Sequence, residues 1–354
     1  MEKDKILLIG LGQCGNSLVN EMINKNKRYA GLFINSSLGD LAKIENANSN
    51  NTFIFNGTDG AGRNRSLAQS FIQNDIMRLS TFLLKFSQFK TFVLFSSLDG
   101  GSGSGSLPLV VKTLKEKLFK KSIVNVVGVL PKLSEDNLKL QNTLDCLAEI
   151  EMVLPCINSL RFIDNNTRET YGEINSEALA EIDMCYSIVG KHQEDSIDLQ
   201  DSYNINSCVG YNFSLVLPDR FRNIEEAIQV AKESSVFALP DSFDCTYGAV
   251  NVKENIYNKN DLKTLINADE TVYTTYNQNK MNIIVLGGCD MPNEAIEYIK
   301  LELEDRKSNK KERNVRKGFG LSVNRATPIP QKEIVETVED EDIDDMFDAD
   351  FFRF

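Results

Sequence analysis

Gly10-Leu11-Gly12-Gln13-Cys14-Gly15-Asn16 follows directly on the apolar run Lys5-Ile6-Leu7-Leu8-Ile9 and opens a helical pattern. A strand, a glycine turn and a helix in that order let the backbone approach a phosphate. The unpaired N–H groups and the dipole of the helix N-terminus then favour the anion. The spacing fits the GxGxxG fingerprint, so Gly12, Gln13, Cys14 and Asn16 are candidate phosphate-side contacts. A dinucleotide site also needs Asp or Glu at the end of the second strand to hold ribose hydroxyls. Asn35 stands there instead, which weakens the reading as a nicotinamide- or flavin-dependent (NAD/FAD) oxidoreductase.

Outward from this loop, short β-rich runs alternate with longer helical patterns up to about residue 202, the signature of a parallel sheet with helices on its faces. Strands are expected over 5–9, 30–34, 52–55, 91–96, 122–129 and 159–163, and helices over 16–24, 64–85, 107–120, 134–153 and 175–191. Beyond 202 an apolar run over 209–217, a helix over 223–235 and strand-like runs at 247–252, 271–276 and 282–287 read as a smaller α+β unit. A helical pattern over 293–305 follows. The expected organisation is a Rossmann-like nucleotide-binding domain over 1–174, a connecting helix and loop over 175–202, and a smaller domain over 203–290. A C-terminal helix over 291–320 and a flexible charged tail over 321–354 complete it.

Two further turns occupy the ligand-binding edge of such a sheet. Asp99-Gly100-Gly101-Ser102-Gly103-Ser104-Gly105-Ser106 precedes a helix carrying Pro108, and its glycines and hydroxyls suit an extended polyphosphate cradle. Gly57-Thr58-Asp59-Gly60-Ala61-Gly62-Arg63-Asn64 adds backbone donors and the charge of Arg63 or Arg65. No GxxxxGK[ST] occurs, so a nucleotidase of this sequence is not a P-loop enzyme. No GxSxG occurs either, and His192 is the single histidine, which removes serine-hydrolase triads and two-His metal sites.

Composition narrows the class further. The chain has 354 residues and a net charge of −12, which opposes sequence-independent binding of nucleic acid across its surface. Its seven cysteines are scattered without a CxxC pair, and no apolar run approaches the roughly 20 residues of a membrane span. With no signal-peptide core at Met1-Glu2-Lys3-Asp4-Lys5, a cytoplasmic protein without membrane contact is expected.

These residues resemble the tubulin/FtsZ superfamily of polymerising GTPases. The first loop is similar to the tubulin first-loop signature, and Gly100-Gly101-Ser102-Gly103-Ser104-Gly105 resembles the family's GGGTG[ST]G phosphate loop. Gly60-Ala61-Gly62 resembles its third phosphate loop. Pro131-x-x-x-Glu135-x-x-x-Lys139 sits where a proline, a ribose-binding Glu and a basic residue occur, and Asn165 and Asn175 sit where guanine is read. Asp198-Leu199-Gln200-Asp201 resembles the NxDxxD/E loop that completes the neighbouring subunit's site. The resemblance implies GTP/GDP and Mg²⁺ as ligands, Asp198 and Asp201 as catalytic groups acting in trans, and head-to-tail filaments. Three positions depart from the pattern: Asp99 replaces a glycine, Lys139 an arginine, and Ser196 an asparagine.

The chain lacks tryptophan, unlike eukaryotic tubulins, and the terminal apolar peptide of FtsZ cell-division GTPases is not found. Its length and charged C-terminus look more like the TubZ branch, which implies segregation of plasmid or phage DNA through a DNA-binding partition adaptor at a centromere. Eight basic residues against Glu312 between Arg306 and Arg325 give way to an acidic end with Met346, Phe347, Phe351, Phe352 and Phe354. That end suits a linear peptide that recruits the adaptor.

Overall fold

The computed structural model describes residues 1–56, 59–188, 197–219, 223–252, 261, 266–275 and 281–315. The tail over 321–354, the basic stretch past residue 315, Ser196, His192 and the Gly57-Thr58 start of the third turn lie outside the described residues.

Strands β1 (Ile6–Leu11), β2 (Ala30–Asn35), β3 (Thr52–Ile54), β4 (Thr91–Ser97), β5 (Ile123–Leu130) and β6 (Ser159–Asp164) alternate with helices α1 (Gly12–Lys25), α2 (Leu38–Leu41), α3 (Arg65–Leu84), α4 (Ser102–Lys112), α5 (Asn137–Met152) and α6 (Tyr171–Tyr186). Helix α7 (Leu199–Ser207), β7 (Gly210–Leu217), α8 (Ile224–Glu233), β8 (Cys245–Val252), β9 (Ala268–Thr275), β10 (Asn282–Cys289) and α9 (Asn293–Val315) follow. The strands form one sheet in the order β3-β2-β1-β4-β5-β6-β7-β10-β8-β9. Pairing is parallel from β3 to β7 and antiparallel where β10 meets β7 and β8. Among the described residues, those of 203–290 therefore build no sheet of their own. Their strands extend the first one through the short pairing Ser159↔Gly210 and Leu160↔Tyr211.

Central strands read as continuous apolar runs because helices cover both faces. In β1, Leu7, Ile9 and Leu11 join the core on one side while Ile6 and Leu8 join the core on the other. Helix α1 lies close on β4, since a Cβ on Gly15 would stand 2.0 Å from the Phe95 carbonyl oxygen. Only glycine permits that approach.

The fourth helix begins at Ser102, five residues before the expected Leu107, so Ser102–Gly105 form its first turn. It ends at Lys112 and passes into a π-helical turn, Thr113–Leu118. Pro108 has no N–H for the carbonyl of Ser104 one turn back. Arg65 Nη2 (3.1 Å) and Cys146 Sγ (3.4 Å) donate to that oxygen instead. Arg65 also pairs with Glu149 at 2.6 Å and is buried, so its charge is used inside the fold and is not available as the phosphate-side cation that the sequence offers it as.

Helix α6 ties the two halves of the sheet together. Glu181 accepts a hydrogen bond from Ser214 Oγ of β7 at 2.8 Å, and burial pushes its carboxyl up to about 7 against the opposing pull of Ser214 and Arg161. A carboxyl whose folded pKa is raised stabilises the fold most below its unfolded value near 4.3, and that contribution is lost as pH rises through about 7. Glu181→Gln should therefore melt progressively higher than wild type as pH goes from 5 to 8. A melting-temperature difference constant over that range would refute the titration.

Candidate functional site

The carboxyl ends of β1, β2, β4, β5 and β6 open on a cavity of about 850 Å³, within the range of small-ligand sites. Gly12, Gln13 and Cys14 line it from the first turn of α1, and Asn35 from the end of β2. Gly60, Ala61 and Gly62 line it from the third turn, and Gly100, Gly101, Ser102 and Gly103 from the start of α4. Glu135, Lys139, Asn165 and Asn175 close the remaining side. The two glycine loops touch each other: Gly12 has φ +68°, and a Cβ there would meet Gly103 N at 2.8 Å. Two helix N-termini thus converge on one space, which is the geometry that holds an anion by unpaired N–H groups and aligned dipoles.

Three expected contacts stand behind this lining. Asn16 is buried and donates to the Ile34 carbonyl at 3.1 Å, holding β2 against α1. Ser104 donates to Gly100 O and accepts from Arg65 Nε, and Gly105 faces Arg65 O across a gap that a Cβ would close to 2.8 Å. Each packs the turn whose backbone faces the cavity.

The polar inventory of the walls leaves room for a nucleotide. Asn35 Nδ2 and Asn165 Oδ1 are buried without a hydrogen-bond partner in the protein, one a donor and one an acceptor. Buried polar atoms of this kind are matched by a ligand or water. Burial, with Asp99 adding to it, pushes the Cys14 thiol up to about 12, away from the thiolate form.

Lys139 organises the charges. Its ammonium lies 2.9 Å from Glu135 Oε1 and 3.4 Å from Asp99 Oδ2, and Tyr171 Oη donates to Glu135 at 2.8 Å. Glu135 is held below the usual carboxylate range by the Lys139 hydrogen bond above all. Burial disfavours the Lys139 charge, yet Glu135 and Asp99 outweigh it and raise its pKa. The carboxylate at position 99 is thus neutralised by the same lysine that departs from the arginine pattern.

Asp198 and Asp201 sit elsewhere. They form a reciprocal cap on α7, with Asp198 Oδ1 accepting from Asp201 N at 2.8 Å and Asp201 Oδ2 accepting from Asp198 N at 3.0 Å. Tyr247 Oη donates to Asp201 Oδ1 at 3.1 Å. The first turn of α7 borders a hollow with Lys5, Ile6, Lys90 and Thr91, the amino ends of β1 and β4, whereas the cavity lies at their carboxyl ends. The six residues of β1 separate the two by about 20 Å.

The family description "Tubulin/FtsZ family, GTPase domain" matches residues 5–168. The chain carries a Tubulin/FtsZ GTPase domain. It is 24% identical over 316 residues to the tubulin-like protein TubZ of Clostridium botulinum C phage, covering 88% of this chain and 86% of that one. The solved structure of tail-truncated Clostridium botulinum phage c-st TubZ superposes with a TM-score of 0.80 at 23% identity, over 87% of this chain and all of that one (100%). A GTPγS-form protofilament of Bacillus thuringiensis serovar israelensis TubZ gives 0.74 at 15% identity, covering 88% and 94%.

The cavity of the GTPase domain has walls that the sequence reading passes over. Tyr171 lines it because α6 starts four residues before the expected Asn175, and the signal was present in the sequence: Thr170, the residue that caps the helix, is followed three residues on by Glu173, the T-x-x-E pattern of a helix start. Of the two arginines that the sequence offers in the third turn, Arg63 lines the cavity, at φ +63° and with its guanidinium 2.7 Å from Asp136. No described helix is long and apolar enough to cross a membrane.

Proposed function

We propose that this protein is a polymerising GTPase whose head-to-tail filaments move plasmid or phage DNA, with each GTP hydrolysed between two subunits. The observation that carries the in-trans reading is the placement of Asp198 and Asp201 at the sheet edge opposite the cavity. Stacking two copies along the strand direction would bring the α7 cap of one onto the cavity of the next. Such a contact is heterologous and need not close, so it propagates as a filament. The relatives named TubZ, one of them solved as a protofilament, support the same assembly.

In this reading the N–H groups of the first turns of α1 and α4 hold the phosphates. Lys139 and Arg63 supply positive charge beside them, Glu135 takes the ribose hydroxyls, and Asn165 and Asn175 read the guanine edge. Mg²⁺ would lend charge compensation to the triphosphate. Among the described residues no cluster of three or more acidic, Cys or His side chains is placed to hold a metal, so phosphate oxygens and water would be its ligands. Asp198 and Asp201 of the next subunit orient and polarise the attacking water. A DNA-binding adaptor on the C-terminal tail would join the filament to centromere DNA.

A sedimentation assay with GTP and Mg²⁺ tests this. Phosphate release per molecule should be negligible below a critical protein concentration and rise steeply above it, together with the pellet. A rate per molecule independent of concentration, with no pellet, would return the protein to a monomeric nucleotide binder. Tight NAD(P) or FAD binding would favour the oxidoreductase.

A further inference from the structure

The β5–α5 loop over residues 131–136 carries Glu135 into the cavity, and it is held from two sides. On one side Asn166 Oδ1 accepts from Leu133 N at 2.8 Å while its Nδ2 donates to Pro131 O at 3.0 Å. Asn166 belongs to the turn that also presents Asn165 to the cavity. On the other side stands the C-terminal helix. Ile299 and Leu303 of α9 are buried in the core, and one turn on Arg306 spreads its guanidinium over the loop. Its Nη1 donates to Glu135 O and its Nη2 to Leu133 O, while Nε donates to Glu302 at 2.6 Å.

A planar fork that grips two carbonyls fixes backbone orientation as a single flexible ammonium cannot. The carbonyl of Glu135 belongs to the residue whose carboxylate meets Lys139 and Tyr171, so turning that peptide swings the carboxylate. We propose that Arg306 is a positioning residue of the nucleotide site, setting Glu135 for the ribose hydroxyls and so making the C-terminal helix part of the ribose subsite. This rests on the reading of Glu135 given above. It also implies a route for coupling: a load on α9 and the occupancy of the ribose subsite affect each other reciprocally.

The test is calorimetric binding of GDP and 2′,3′-dideoxy-GDP to the full chain. Wild type should prefer GDP by about tenfold, the scale of a hydrogen bond to a charged group. Arg306→Ala should lose most of that preference, with GDP weakened and dideoxy-GDP nearly unchanged. Arg306→Lys, which keeps charge and stem without the fork, should lose roughly half of the preference on a logarithmic scale. Lys307→Ala, which removes the neighbouring bond to Gln141 at 2.8 Å, should keep it. If Arg306→Ala weakens both nucleotides equally, or Arg306→Lys discriminates as wild type does, Arg306 is merely structural and the assignment fails. If wild type itself binds both nucleotides alike, the ribose reading of Glu135 falls and takes this inference with it.

Discussion

With Asp198 and Asp201 both changed to Asn, the protein should still pellet with GTP while phosphate release per polymerised subunit falls by roughly 10²- to 10⁴-fold. Asn is the informative replacement because the two carboxylates also cap α7. Asn caps a helix about as well as Asp, so the substitution removes charge and leaves the helix start in place, whereas alanine would cost about 1 kcal/mol per lost cap. A double variant that hydrolyses at the wild-type rate would reduce the pair to a structural cap. The in-trans feature has its own measurement. Mixing this variant, which keeps an intact cavity, with a cavity-impaired variant that keeps both aspartates recreates a complete interface at a fraction of contacts. The mixture should release phosphate faster than the sum of its parts. A site completed within one subunit gives only the sum.

Much of this arrangement is written locally, and the parts that are not share a physical cause. Strands β1, β4 and β5 are buried on both faces, so their apolar runs stand out, and β1 and β4 run out into Gly12 and Ser97, small residues that become cavity wall. The start of α4 is harder to see. Ser102-Gly103-Ser104-Gly105 has the composition of a loop, and its helical state is imposed by packing, with Gly103 pressed on Leu11 and Ser104 held by Arg65. Arg63 and Arg65 are two residues apart in one charged turn, yet one faces the cavity and the other replaces the bond that Pro108 cannot make. Nothing in the local sequence tells them apart. The joining of β6 to β7 and the reach of Arg306 across to residue 135 depend on pairings of residues about 50 and 170 positions apart. Periodicity carries no information at that range.

Replacing Lys139 by Ala should weaken GTP binding by about 10- to 100-fold, or about 1.4 to 2.7 kcal/mol. Lys139 is about one-fifth exposed (21%) and sits between Asp99 and Glu135, both of which line the cavity. Without it, Asp99 and Glu135 face a triphosphate with their shared counter-charge removed, and in a half-enclosed site such repulsion is screened less than at an open surface. Removing the carboxylate at the same time separates this cause from simple loss of a contact. Asp99→Asn combined with Lys139→Ala should recover part of the affinity, and Asp99→Asn alone should bind GTP at least as tightly as wild type, because Lys139 is then free to turn toward a phosphate. The penalty of Lys139→Ala should also shrink in high salt. If the single and double variants bind equally weakly, the lysine acts as a direct ligand and Asp99 is a bystander. If recovery is seen, the aspartate and the lysine are a matched pair, and a negative charge is tolerated in a phosphate loop because the next helix brings its own counter-charge.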